Sequence, residues 1–341
     1  MRRMRFIFIA KLLGDGQPPT RHIDVDRLRS GGVWHRLAST LWAVSRPSIP
    51  IAVCILTTQF AFAQVHTNPL SRSAADMERT YETLKPDLQK SAFGKPLVIE
   101  SHQRGDQLQG DVYAVIDHPF SAVQTALRPP SHWCEILMLH LNTKGCAVHS
   151  SRQDDSGGPA SLEVAIGGKH EEAPSDAREL ALDYRVATAM PSFLDIRMQA
   201  KDGPMSTHDY RLWLQATPVE TDRTFVHLHY AYSFGMAAGL AMKGYLATIG
   251  RDKVGFSRSG NDPDAYVDGI RGVVERNAMR YYLAIDAYLD SLSAPPGMQR
   301  EARIKAWFDA TERYPQQLHE INKDEYLTMK RHELAHMPKS P

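Results

Sequence analysis

The sequence has almost no net charge. Its 341 residues carry 40 Lys/Arg against 39 Asp/Glu. Proteins that grip phosphate backbones need clustered positive charge, and no dense Lys/Arg run with interleaved aromatics occurs here. Nucleic acid is therefore not expected as a partner. The balance hides an asymmetry. Residues 1–63 hold nine Lys/Arg against three Asp, whereas the remainder is mildly acidic.

Long apolar runs are also missing. The longest, "SIPIAVCILTTQFAFAQ" (residues 48–64), has an apolar stretch of about 16 residues, short of the ~20 needed to span a bilayer. It follows the basic region and ends in Ala61-Phe62-Ala63, an A-x-A cleavage pattern. That is the layout of a secretory signal peptide. An uncleaved anchor or a short buried helix is the alternative. The preceding leader is over-long and rich in Gly and Pro clusters, which points to a true start at a non-Met codon near Val33, Leu41 or Val44. The expectation is that residues 1–63 direct export, and that the mature protein is periplasmic or secreted.

Cysteine is scarce, with three in all. Cys54 lies in the apolar run. Cys134 and Cys146 remain, in "WCEILMLHLNTKGC". A pair in an oxidising compartment reads as a disulfide, worth roughly 3 kcal/mol for a loop of this size. Two separate buried thiols are the alternative. Zinc is disfavoured because no C-x-x-C accompanies the pair. Neither G-x-x-x-x-G-K-[ST] nor G-x-G-x-x-G occurs, and "GFSRSG" (255–260) misses the nucleophile-elbow spacing by one residue. No internal repeat and no βαβ alternation is visible, so a doubly wound nucleotide fold is not expected.

With 43% hydrophobic residues, the chain can bury a core. Residues 64–94 read as a polar N-terminal segment with a short helix interrupted by Pro86. Two strands follow, "KPLVIESHQR" and "LQGDVYAVID", around the turn at Gly105-Asp106. "HPFSAVQTAL" reads as a helix with Pro119 in its first turn, stopped by "RPPSHW". "EILMLHLN" could be strand or helix. From residue 160 onward come five strands with short links. Leu182, Tyr184 and Val186 share one face, as do Tyr210, Leu212 and Leu214, and Val226, Leu228, Tyr230, Tyr232 and Phe234. Such a succession is an antiparallel meander. "DPDAYVDGIRGVVERNAMRYYLAIDAYLDSL" (262–292) then reads as a long amphipathic helix, capped at Asp262 and opened by Pro263. Its stripe runs through Val267, Ile270, Val274, Ala278, Tyr281, Ile285, Tyr288 and Leu292. Two further helices, 298–313 and 317–336, are split at Pro315.

Two strands, a short helix, a run of antiparallel strands and one long helix resemble the START-like and Bet v 1-like (SRPBCC) superfamily. "GDVYAVIDHPFSAVQTALRPPSHW" (110–133) is also similar in its strand, Pro-initiated helix and Trp-containing loop. The resemblance covers about residues 95–292. Residues 235–260 depart from it, and the helical extension 298–337 has no counterpart in the basic fold. It implies an α+β helix-grip fold, in which a curved antiparallel sheet wraps the long helix and leaves a cavity.

The residues argue for a cavity in their own right. A curved sheet gripping one helix can leave an apolar interior with a few polar groups, which suits a small hydrophobic molecule. The inward candidates are Tyr184, Tyr210, Leu212, Val226, Leu228, Tyr230 and Tyr232 from strands, and Tyr281 and Ile285 from the helix, with Asn277 beside the stripe. Buried tyrosine offers an apolar ring and a hydroxyl seeking a partner. Solid core packing is the competing reading for each of them.

Two histidine patterns invite metal chemistry. "RHELAHM" contains H-E-x-x-H at His332, Glu333 and His336. A zinc peptidase needs a third ligand, usually downstream, and the five residues after His336 supply none. We read the motif as a chance match. His227 and His229 in "HLH" share a strand face opposite Leu228, and read as a surface pair rather than a metal site. The expected function is therefore an exported protein that binds a hydrophobic small molecule or lipid, with no cofactor. The alternatives are a cyclase-like or hydrolytic enzyme on the same cavity, or an envelope protein docking a partner through its C-terminal helices.

Overall fold

Eight strands pair antiparallel in one open sheet, in the order β1-β2-β8-β7-β6-β5-β4-β3. They are β1 (Leu97–Arg104), β2 (Gln107–Ile116), β3 (Thr143–Ser150), β4 (Ala160–Ile166), β5 (Arg178–Met190), β6 (Phe193–Asp202), β7 (Thr207–Glu220) and β8 (Arg223–Phe234). This is a computed structural model, which describes residues 70–150, 158–248, 250–260, 262 and 264–337. The leader, the apolar run and the cleavage pattern lie outside the described residues.

Strand alternation sorts the side chains onto two faces. Leu228 stands between Val112 and Leu214 in register, and Leu214 stands beside Ile196. All four are buried and form one apolar row on the inner face. The outer face carries Tyr113, Val115 and Phe225, covered by Met77, Leu84 and Leu88 of α1 (Ala74–Gln89). Ser73 caps α1 by accepting from the Asp76 amide. Pro86 lies inside this helix rather than ending it. It falls in the last turn, where the missing N–H removes a single bond.

The long helix α5 (Gly269–Ser291) packs on the inner face against β1, β2 and β8. Val274, Ala278 and Ile285 are buried along this contact. Gly110 of β2 makes the approach possible: a Cβ there would sit 3.2 Å from Ala278 Cβ and 3.3 Å from the Val274 carbonyl oxygen. A sheet wrapped on one helix in this strand order is the helix-grip fold of START-like proteins. The helix begins six residues later than the Asp262-Pro263 signal suggests. Residues before it pair backbone to backbone instead, Val267 with Ser257 and Ser259 with Ala265. Glu275 holds that segment down by accepting from the amides of Phe256 and Ser257. A tertiary anchor thus overrides a local cap preference.

Two helices, α2 (Phe120–Leu127) and α3 (Pro130–Leu137), follow β2. The ambiguous "EILMLHLN" supplies the end of α3 and the turn into β3, a strand whose pattern was not legible. Cys134 of α3 and Cys146 of β3 form a disulfide, with a Cα–Cα distance of 5.3 Å. The small-residue stretch after β8 forms α4 (Met236–Leu246).

The C-terminal extension is α6 (Pro296–Thr311), α7 (Pro315–Leu318) and α8 (Lys323–Ala335). Its apolar residues turn inward. Ile304, Trp307, Phe308, Tyr326, Leu327 and Leu334 are buried, and the Trp307 indole stacks on Tyr326 at 5.1 Å. Among the described residues of this extension, Met298 is the one large exposed hydrophobic. These helices pack their apolar residues into the core of their own domain.

Candidate functional site

A cavity of about 200 Å³ lies between the sheet and α5. That exceeds the ~150 Å³ apolar cavity known to admit benzene. The strands supply Tyr210, Leu212, Tyr230 and Tyr232 by alternation, and α5 supplies Val273, Arg276, Asn277, Arg280 and Tyr281. Those helix positions recur at three and four, so one face of α5 looks into the space. α4 contributes Ala238 and Met242 and turns Met236 and Leu240 to solvent.

The tyrosines form a continuous wall. Ring centroids are 5.4 Å apart for Tyr210 and Tyr232, 5.7 Å for Tyr230 and Tyr232, and 5.2 Å for Tyr230 and Tyr281. His140 stacks on Tyr281 at 5.0 Å. Burial raises the Tyr210 hydroxyl to about 12 and also pushes Tyr230, Tyr232 and Tyr281 well up, so all four are neutral donors at physiological pH. The turn before Tyr210 is strained: Met205, Ser206 and Asp209 have φ of 60°, 65° and 55°. The ladder to β8 slips between His208 and Arg211. Such irregularities re-aim a side chain, and here Tyr210 enters the cavity with its hydroxyl on Thr207 Oγ1, 2.8 Å away.

One end of the cavity is strongly polar. Lys169, Arg276, Arg280 and Glu320 all line it. Glu320 accepts from Lys169 Nζ at 2.6 Å and from Arg280 Nη2 at 2.8 Å. Burial would raise the Glu320 carboxyl, but Lys169, Arg280 and Lys253 outweigh it and hold it down to about 2. Two cations, Lys169 and Arg280, share this single carboxylate. Burial, with Arg280 and Arg276 nearby, lowers Lys169 to about 8. Burial and Arg280 lower Arg276 to about 10.

Arg276 donates to the Val254 carbonyl oxygen and has no carboxylate at ion-pair distance among the described residues. His140 is held neutral, chiefly by burial and then by Arg280, Lys330 and Lys169. Its Nδ1 accepts from the Asn142 amide, which places the proton on Nε2. Both His140 Nε2 and Arg280 Nε are buried without a hydrogen-bond partner among the described residues. A buried donor left unmatched is costly, and two beside surplus positive charge make this end a receptor for acceptor atoms.

Tyr210, Leu212, Tyr230, Tyr232, Asn277 and Tyr281 are brought together on the cavity. Tyr184, Val226, Leu228 and Ile285 are not; they pack in the apolar core beside it. Tyr184 donates its hydroxyl to the Arg128 carbonyl, and Val226 and Leu228 are buried in the apolar core. The charged end, with Lys169, Arg276, Arg280 and Glu320, was not foreseen. Arg276 and Arg280 sit at i and i+4 beside the apolar stripe, a signal that was available. Glu320 and Lys169 come from segments whose approach no local pattern encodes.

The H-E-x-x-H side chains divide between two environments. His332 and His336 are exposed, with His332 Nδ1 3.1 Å from Glu171 and His336 Nδ1 bonded to the His332 carbonyl oxygen. Glu333 points the other way, into the interior, where it pairs with Lys144 and Lys330.

Glu320 carries a pH prediction. Its folded-state value of about 2 lies below the ordinary 4.5. The contribution is complete above pH 4.5 and is lost as pH falls toward 2. The groups facing it are Lys169, Arg280, Lys253, Arg276 and Tyr245. Acid denaturation followed by urea titration should show a wild-type loss across this window that exceeds the loss in Glu320→Gln by about 3 kcal/mol. Parallel curves for the two proteins would contradict this assignment.

No protein-family model matches the chain, and no curated protein does so. Solved structures of similar shape include the human StAR-related lipid transfer protein 5, at 11% identity and a TM-score of 0.31, covering 65% of this chain and 98% of that one. The human StarD13 (DLC2) lipid transfer and protein localization domain is similar at 13% identity and 0.29, covering 48% and 88%. The Zhui aromatase/cyclase from Streptomyces sp. R1128 is similar at 7% identity and 0.28, covering 62% and 94%. The assignment of the START-like fold rests on the strand order and the gripped helix.

Proposed function

We propose that this chain binds a small amphipathic molecule in the cavity, as an exported carrier or receptor without a cofactor. The apolar body lies against the tyrosine wall, Leu212 and Met242. An acidic or acceptor-rich head meets Arg276, Arg280 and the His140 Nε2–H. The observation that carries this reading is the surplus of buried donors at one end of an otherwise apolar cavity. The lipid-transfer names of two similar structures agree with it. The leader pattern and the disulfide suit an oxidising compartment.

Calorimetric titration with decanoate and with decanol tests the proposal. Decanoate is expected to bind near one equivalent and at least ten-fold more tightly than decanol. Organic extraction of protein recovered from its native envelope should release an acidic amphiphile. Absence of binding by either compound, together with an extract lacking any such molecule, would sink the reading.

A further inference from the structure

The histidine pair of "HLH" is buried, against the surface position expected for it. His227 and His229 alternate onto the outer face of β8, and Asp111 of β2 stands directly opposite His229 in register. The side chains of Asp111, His227 and His229 are 4%, 3% and 9% exposed. Their donor atoms converge. Asp111 Oδ1 lies 2.7 Å from His227 Nε2 and 2.9 Å from His229 Nδ1. All three ligand atoms fall within 4.8 Å of one another.

We propose that these residues form a binding site for a first-row divalent transition-metal cation of the zinc type. Two imidazoles and one carboxylate suit zinc, cobalt, nickel or ferrous iron, whereas magnesium and calcium prefer all-oxygen sites. Metal–ligand bonds near 2.0–2.2 Å at tetrahedral to right angles place ligand atoms about 3.0–3.4 Å apart. On binding, the two short contacts to Asp111 would open by a few tenths of an ångström, and the two histidine nitrogens, within 4.8 Å of each other, would settle at the same spacing. Each neutral imidazole would then present its unprotonated nitrogen and carry its proton on the far one. A fourth position is left for water.

The surroundings hold the ligands in place. Tyr113 stacks on the His227 ring at 4.2 Å and 17°. Trp213 stacks on His229 at 5.2 Å and 30°. Gln109 Nε2 donates to the second Asp111 oxygen at 2.8 Å and orients the carboxylate. Stacking restrains the two rings, and the Gln109 amide is an outer-shell hydrogen-bond partner of the kind that orients a ligating carboxylate. The site bridges β2 and β8 on the face opposite the cavity, so binding here is independent of the ligand proposed above.

The test uses the tag-free full chain, stripped with chelator and then titrated with Co²⁺ and Zn²⁺. One equivalent of Co²⁺ should bind with visible d–d absorption, be displaced by Zn²⁺, and raise the Tm. His227→Ala and the less buried His229→Gln should each abolish the absorption while far-UV circular dichroism is unchanged. If His227→Ala fails to fold, His229→Gln decides. The double variant His332→Ala/His336→Ala should bind as the wild type does, since those exposed histidines are the competing cation site. Sub-stoichiometric uptake by the wild type, uptake retained in His229→Gln, or uptake lost in the His332→Ala/His336→Ala variant would each overturn the proposal.

Discussion

Replacing Glu333 with alanine is expected to cost about 3–5 kcal/mol of stability, the cost of stranding buried charge. Two ammonium groups depend on this carboxylate. Lys330 Nζ donates to Glu333 Oε2 at 2.7 Å and to the carbonyls of His140 and Thr143 at 2.8 Å each. Lys144 Nζ donates to Glu333 Oε1 at 3.1 Å and to the carbonyls of Leu141 and His170. Both lysine side chains are fully buried. The cluster ties α8 to the α3–β3 connection, so its loss loosens the whole C-terminal cover. Denaturant titration of Glu333→Ala at pH 7 checks this, with His332→Ala as the exposed control expected within about 0.5 kcal/mol of wild type. A change below 1 kcal/mol in Glu333→Ala would show that the network contributes little. The alkaline side has a definite sign. Burial lowers Lys330 from 10.5 to about 8, so between those values the unfolded chain binds the extra proton, and the contribution of this group to stability rises with pH.

The second large effect falls on binding. Arg276→Met should weaken decanoate by roughly 10- to 100-fold, the equivalent of one charged hydrogen bond, and leave decanol nearly unchanged. The same change should not reduce the stability of the ligand-free protein. Arg276 is a buried cation without a carboxylate partner among the described residues, and a buried charge replaced by an apolar side chain of similar length is often neutral or stabilising. Calorimetry on both ligands, paired with denaturant titration, separates the two effects. Equal losses for acid and alcohol would assign Arg276 to packing rather than to head-group recognition. Destabilisation with unchanged affinity would place the head elsewhere.

Much of the architecture is local and was therefore legible. Alternation over Tyr210–Leu214 and Val226–Phe234 places those side chains on one sheet face whatever the rest of the chain does. The stripe from Val274 through Ala278 to Ile285 does the same for the helix. The order of strands and helix leaves few ways to bury both faces. Tyr210, Tyr230, Tyr232 and Tyr281 followed from the same periodicity, because a residue's face depends only on its neighbours in sequence. The helix start shows where this fails. Asp262-Pro263 is a sound cap by composition, yet Glu275 holds residues 256–257 in an extended pairing and delays the helix to Gly269.

Which inward residues border open space and which are packed solid was decided by tertiary structure alone. Val226 and Leu228 have the same parity as Tyr230 and Tyr232, but only the latter line the cavity. Glu320 reaches Arg280 across 40 residues and Lys169 across 151, so no pattern along the chain could announce the charged end. His227 and His229 carried a readable same-face spacing, and Asp111 came from a strand 116 and 118 residues away. The sequence by itself determined which faces exist. The fold determined what meets on them, because charge pairing, desolvation and ligand convergence are set by distance in space rather than by separation along the chain.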